Sequence, residues 1–295
     1  MHKYLRAIGF SEYTDRKKMK EMIADIVLNA TTRAYTTNTD DLLLGEFCKD
    51  YGENIGMAVC GQFDDSDKFI YDYYYPYLRG TGISSEEDVS VERHAAKESY
   101  AGICDDSKVG VSLIFYLQNM IPYVKAQVTK QLPIRGTTLT LSALSLQGTI
   151  MMPIHKNEEQ KRQVKKESTN RRNLIAAARK GDEEAIETLT FEDMDIYTTI
   201  SKKIHKEDVF SLVDTYFMPY GVECDQYSIL GEILDVHPVR NKMTGEELYH
   251  MTVNCNELTF DLCINQQDLY GEPAVGRRFK GTIWLQGFIN FPSES

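Results

Sequence analysis

The sequence holds a single tryptophan and eight prolines, with six cysteines and six histidines. No two of the cysteines (Cys48, Cys60, Cys104, Cys224, Cys255, Cys263) form a CxxC pair. Structural zinc uses four donors in close pairs, so no metal is expected from them. Cys255 and Cys263 would suit neighbouring strands of a hairpin, but His250 is the one histidine near them. They read as reduced, mostly buried thiols. Long apolar runs are missing too. The longest, Val109 to Ile121, contains Ser112, Gln118 and Asn119, well short of the roughly 20 residues that cross a bilayer. The start, "MHKYLRAIGFSEYTD", returns to charge at Glu12 and Asp15 before a signal-peptide core can form. A cytoplasmic protein without a membrane partner is the expectation. The strings GxSxG, GxxxxGK, GxGxxG and HExxH do not occur, so no catalytic residue and no cofactor is assigned, and the reading leans away from an enzyme.

What is present describes an ordinary globular protein: 42% apolar and 26% charged residues, with a net charge of -11. At 295 residues one large domain or two to three smaller ones are expected. Near the start, Met19, Ile23, Ile26, Val27 and Ala30 recur at helical spacing. The period then drops to two. "EFCKDYG", "GMAVCGQF", "DKFIYDYYYPYL", "VSVERHAA", "SYAGICDD", "VGVSLIFYL" and "TTLTLSALSLQGTIMMPI" are β-like runs separated by Gly, Asp and Ser turns. Residues 155 to 219 read as helical. Gly181 suits a helix end and Asp182 the next helix start, while Thr190 and Asp193 imitate a capping box before Met194, Tyr197, Ile200 and Ile204. Beyond 225 the pattern is β again, with an Asn-Lys-Met-Thr-Gly-Glu turn and five short strands. The expected fold is α+β: an N-terminal antiparallel sheet with flanking helices over 1–154, a helical connector over 155–224, and a small oligonucleotide-binding-type (OB-like) β-barrel over 225–295.

The run from His155 to Lys180 carries nine Lys and Arg against three Glu, whereas Asp182 to Asp195 holds seven acidic residues and no basic one. Adjacent blocks of opposite sign separated by a helix break can pair across a helical hairpin. From Lys156 to Asn173 the only aliphatic residue is Val164, so this stretch reads as a solvated helix or linker. A polyanion requires uncompensated cations. The C-terminal segment, with five basic and ten acidic residues, does not offer them.

Two sets of residues are candidates for binding. Tyr71, Tyr73, Tyr75 and Tyr77 alternate on one strand face, and with Asp72 and His94 they could line a small-molecule pocket. The structural alternative is cross-strand aromatic packing. Arg277, Arg278 and Lys280, beside Trp284, form the one basic cluster of the barrel and a surface for a protein or nucleic-acid partner. The acidic groups Asp64, Asp65 and Asp67, Glu86, Glu87 and Asp88, and Asp105 and Asp106 fall where hairpin turns are expected, and turn chemistry accounts for them.

"MHKYLRAIGFS", "LIAAARKGDEEAIETLTFEDMDIYTTISKKI" and "GRRFKGTIWLQGFI" together resemble a family of proteins of about this length from Gram-positive anaerobic bacteria that carries a domain-of-unknown-function label. The resemblance implies a bacterial cytoplasmic setting and transfers no activity or site. The reading is therefore a non-enzymatic binding or regulatory module for a protein or small-molecule partner. Its alternatives are a ligand site at the tyrosines and nucleic-acid binding through the barrel or the basic helix.

Overall fold

In the computed structural model, Asp15 accepts the Lys17 amide at 2.9 Å and starts α1 (Arg16–Leu28), which turns Met19, Met22, Ile23 and Ile26 inward. The structure describes residues 2–93, 99–109, 111–133, 136–154, 158–203, 213–221 and 224–292. A short 3-10 helix (Lys3–Ile8) precedes α1. Four strands follow, β1 (Thr32–Thr37), β2 (Leu43–Asp50), β3 (Ile55–Phe63) and β4 (Phe69–Leu78), as an antiparallel meander in chain order. The Asp64 to Asp67 cluster makes the β3–β4 turn, where Asp64 Oδ1 accepts the amides of Ser66 and Lys68.

The remaining strands belong to a second sheet. They are β5 (Val89–Arg93), β6 (Tyr100–Cys104), β7 (Leu113–Leu117), β8 (Thr138–Met151), β9 (Tyr216–Pro219), β10 (Gln226–Arg240), β11 (Glu247–Cys255), β12 (Leu258–Asn265), β13 (Leu269–Tyr270) and β14 (Arg278–Asn290). Five of them, in the order β8-β12-β11-β10-β14, close into a barrel because β14 pairs back onto β8. The β12–β8 pair is parallel and the other four are antiparallel. Within the barrel, strand β10 serves two neighbours: Gln226 to Glu232 pair with β14 and Glu232 to Arg240 with β11, across a register shift between Ile233 and Asp235. Such a bulge bends a strand so that it can turn a barrel corner. Leu141, Ala143, Ile229, Ile233, Val253, Leu262, Phe279 and Ile283 fill the interior. β7 extends the sheet by pairing parallel with β14, and β6 and β5 follow. At this junction Phe115 occupies the space above Gly287, where a Cβ would lie 2.3 Å from its ring. Helix α2 (Met120–Val128) covers the same core through Met120, Ile121 and Val124.

The barrel's outer face over β8, β12 and the β10–β11 turn is covered by the chain's own first residues. Asn241 Nδ2 donates to Ile8 O at 2.7 Å, Thr244 Oγ1 to Gly9 O at 2.7 Å, and Ser11 Oγ to Glu246 Oε1 at 2.8 Å. Tyr4 stacks on Trp284 at 5.1 Å. This strap, α1 and the four-stranded sheet share a second core with Leu144, Val239, Cys263 and Trp284 on the outside of the barrel.

The mixed α+β class and the closed five-stranded barrel stand, but the strands are shared out differently from the sequence expectation. The runs before 154 do not make one sheet, and β8 is the barrel's fifth strand. The segment after 225 supplies four long strands, since β13 is only two residues; closure therefore draws on Leu139, Leu141 and Ala143, all buried. The middle segment is a hairpin of α3 (Glu158–Arg179) and α4 (Glu183–Lys203). Gly181 takes φ +88°, and Asp182 Oδ1 accepts the Ala185 amide at 3.1 Å. Thr190 does not start a helix; it lies inside α4 and donates to Ile186 O. Met194 is exposed, while Ile204 and the side chains of Tyr197 and Ile200 lie outside the described part of the structure. Helix does not persist to 219, because β9 pairs with β10 and buries Phe217 against Tyr227.

Candidate functional site

The tyrosine row does not keep its alternation. Opposite β3, Cys60 pairs with Tyr73 and Gly61 with Tyr71, so Asp72 is the extra residue of a bulge. Gly61 permits it: a Cβ there would lie 2.1 Å from Ile70 O. Tyr71 and Asp72 consequently face solvent, while Tyr75 and Tyr77 are buried and Tyr73 is partly so. Tyr75 packs on Tyr116 at 4.6 Å, and its hydroxyl lies 3.0 Å from Glu46 Oε1 and 2.9 Å from Gln118 O. Cys60 Sγ donates to the same Glu46 oxygen at 3.6 Å. Burial pushes the Glu46 carboxyl up to about 7, and the hydrogen bonds from Tyr75 and Cys60 offset this only in part. Tyr75 is thus committed to a sealed polar network between the two sheets, while Tyr77 donates its hydroxyl proton to Asp50 beside Arg79. His94 lies outside the described residues.

The basic cluster of the barrel is similarly divided. Arg278 is buried and donates to the backbone oxygens of Met152, Val213 and Asp214. Trp284 is buried beneath Tyr4 and donates Nε1–H to Asp225 at 2.6 Å. Arg277 bonds Glu272 O at 2.6 Å with the Glu272 carboxylate 3.6 Å away. Lys280 sits beside Lys3 and Tyr4 in a shallow groove on the barrel wall. Two of the four residues, Arg277 and Lys280, therefore reach the surface.

The largest of the described cavities, about 1080 Å³, is a cleft between the α3–α4 hairpin and the end of the barrel. The β11–β12 turn reaches into it with Asn256 and Glu257, both held at positive φ. Glu257 accepts Ser168 Oγ at 2.8 Å and Arg172 Nη1 at 3.3 Å, which fastens α3 to the barrel. Arg171 Nη2 donates to Asp193 at 2.7 Å across the hairpin, so one part of the basic run is answered by the acidic block. Its Nη1 stands 3.6 Å from Glu192 and is buried without a hydrogen bond. Lys108 closes the far side, bonded to Ser84 O at 2.9 Å with Asp106 at 3.7 Å. Four basic and four acidic side chains line the space, with Val109, Ile175 and Leu189 between them.

Of the residues that line this cleft, the sequence singles out only Arg278 for binding, and its guanidinium is taken up by backbone oxygens. Ser168, Arg171 and Arg172 were part of a charged run that looks solvated. Glu257 is one more polar turn residue until the hairpin docks on it. The only sequence signal was the abrupt change of charge sign at Gly181.

No curated protein and no solved structure matches the chain. Among the described residues no helix is long and apolar enough to cross a membrane. The model of one family matches residues 5–287. With nearly its whole length inside that match, the chain belongs to the family described as a domain of unknown function named from an E. rectale gene (DUF3881).

Proposed function

We propose that the protein is a non-enzymatic binding or regulatory module that takes a small molecule bearing a carboxylate or phosphate group in the cleft between the helical hairpin and the barrel. The observation that carries this reading is the pair of guanidinium groups, Arg171 and Arg172, in the wall of the cleft, each with part of its side chain exposed. Guanidinium groups recognise carboxylate and phosphate through paired N–H donors. The four acidic groups that line the same cleft favour a small, singly placed anion over a polyanion.

The barrel supports the same reading. Its strand order, its one parallel pair and its long bent strand β10 fit an OB-type barrel whose last strand has been moved to the front of the chain as β8. The broad strand face on which such barrels take nucleic acid corresponds here to β11 and β12, and residues 3–11 already lie on β12 and on the turn that leads into β11. That arrangement argues against nucleic acid on this face.

A thermal-shift panel of dicarboxylates, amino acids, sugar phosphates and mononucleotides tests the proposal. At saturation a member should raise Tm by a few degrees, and Arg171→Gln should abolish the shift, while oligonucleotides leave Tm unchanged. A panel without a hit, or a shift that survives Arg171→Gln, would reject the cleft.

A further inference from the structure

Two rows of polar side chains run across the outer face of β10, β11 and β12. Asp235, Thr252 and Asp261 are register partners in one row, and His237, His250 and Cys263 in the next. The register shift ahead of Asp235 brings Asp235 and His237 onto this face. His250 is 3% exposed and its Nδ1 is buried without a hydrogen bond. His237, directly opposite, has a buried Nε2 that also lacks one. The ring centroids are 4.8 Å apart. Two imidazoles bound to one tetrahedral ion through bonds of about 2.0–2.1 Å would place their centroids roughly 5 Å apart, so the observed spacing fits a shared ion.

The other nitrogen of each ring faces a carboxylate. His250 Nε2 lies 3.8 Å from Asp261 Oδ1, and His237 Nδ1 lies 3.4 Å from Asp235 Oδ2. Asp261 is itself fixed, accepting the Thr81 amide at 2.7 Å, Thr81 Oγ1 at 2.8 Å and Thr252 Oγ1 at 2.8 Å. A carboxylate on one ring nitrogen holds the proton there and leaves the opposite nitrogen with a free lone pair, which is the usual support of a metal-binding histidine. Here each carboxylate lies beside the ring nitrogen opposite the one that lacks a protein partner. A buried imidazole nitrogen without a partner is costly, and a shared ion would satisfy both.

We propose that His237 and His250 form a two-histidine site for a divalent transition-metal ion of the zinc class. Imidazole nitrogen suits this class over calcium or magnesium. The half-exposed His237 side offers the ion its way in. Among the described residues no group of three His, Cys, Asp or Glu could hold a metal. Cys263, next in the row, is buried and donates to Ala7 O. The chain therefore supplies two ligands, and water completes the coordination.

The test is calorimetric titration of the full-length, tag-free chain with Zn²⁺, repeated with Co²⁺ followed by visible absorption. One equivalent should bind to the wild-type chain and to His2→Ala. His237→Ala, on the exposed side of the pair, should lose that equivalent without loss of fold. Asp235→Asn should weaken it by about tenfold, the size of effect that outer-sphere partners exert. Failure of the wild-type chain to bind at millimolar metal, or an equivalent retained in His237→Ala, would overturn the assignment.

Discussion

The hydroxyl of Tyr75 lies 3.0 Å from Glu46 Oε1 and 2.9 Å from Gln118 O, with all three residues buried. One hydroxyl proton cannot serve two acceptors. The hydroxyl donates to one of them at a time, so the Glu46 carboxylate is short of donors and burial keeps its proton on. The folded protein thus holds a proton on Glu46 up to about pH 7, whereas the unfolded chain releases it near the ordinary 4.5. Stability attributable to this group should fall as pH rises from about 4.5 to 7. Urea unfolding across that range should show the decline, and Glu46→Gln should flatten it.

Tyr75→Phe removes the hydroxyl and leaves Glu46 and Gln118 O short of a partner. The expected cost is about 1–3 kcal/mol, read from denaturant midpoints at pH 6. A loss no larger than that of Tyr71→Phe, which is exposed, would contradict the sealed network.

Asn241 is fully buried; it donates to Ile8 O and accepts the amides of Met243 and Thr244. Asn241→Ala should cost about 1–3 kcal/mol. It should also speed amide exchange in residues 3–11 ahead of the rest of the chain, because this side chain joins the strap to the β10–β11 turn.

Gly287→Ala would place a methyl 2.3 Å from the Phe115 ring, in the strand that β7 and β8 both pair with. Overpacking of this kind costs about 1–3 kcal/mol. The double variant with Phe115→Leu should recover part of the loss, because the two sites share one contact; thermal midpoints of the two single variants and the double variant measure the coupling.

Glu257→Ala should leave the global unfolding midpoint almost unchanged, since its bonds to Ser168 and Arg172 are only partly buried and tie the hairpin, not the barrel core, in place. Amide exchange in α3 should nevertheless quicken, while exchange in β10 to β12 does not.

The site was less legible in the sequence than the fold. Strict alternation puts Tyr71, Tyr73 and Tyr75 on one face, but one bulge residue, Asp72, turns Tyr71 away from the other two. A bulge depends on the partner strand, here on Gly61, so local periodicity does not announce it. Arg278 resembled a surface cation because its neighbours Arg277 and Lys280 are charged. Its burial depends on the carbonyls of Met152 and Val213, which are distant in the chain.

What the sequence determined by itself lies within a few residues of chain: the break at Gly181 with its Asp182 cap, the turn at Asn241 to Glu246, the acidic β3–β4 turn, and the inward stripe of α1. Each follows from backbone preferences and side-chain bonds that close locally. Tertiary structure alone decided that β8 closes the barrel, that residues 3–11 cover its outer face, that the charged hairpin frames a cleft, and that His237 meets His250. These pairings join positions that only strand register and burial bring together. A short window of sequence contains one partner of each pair and no information about the other.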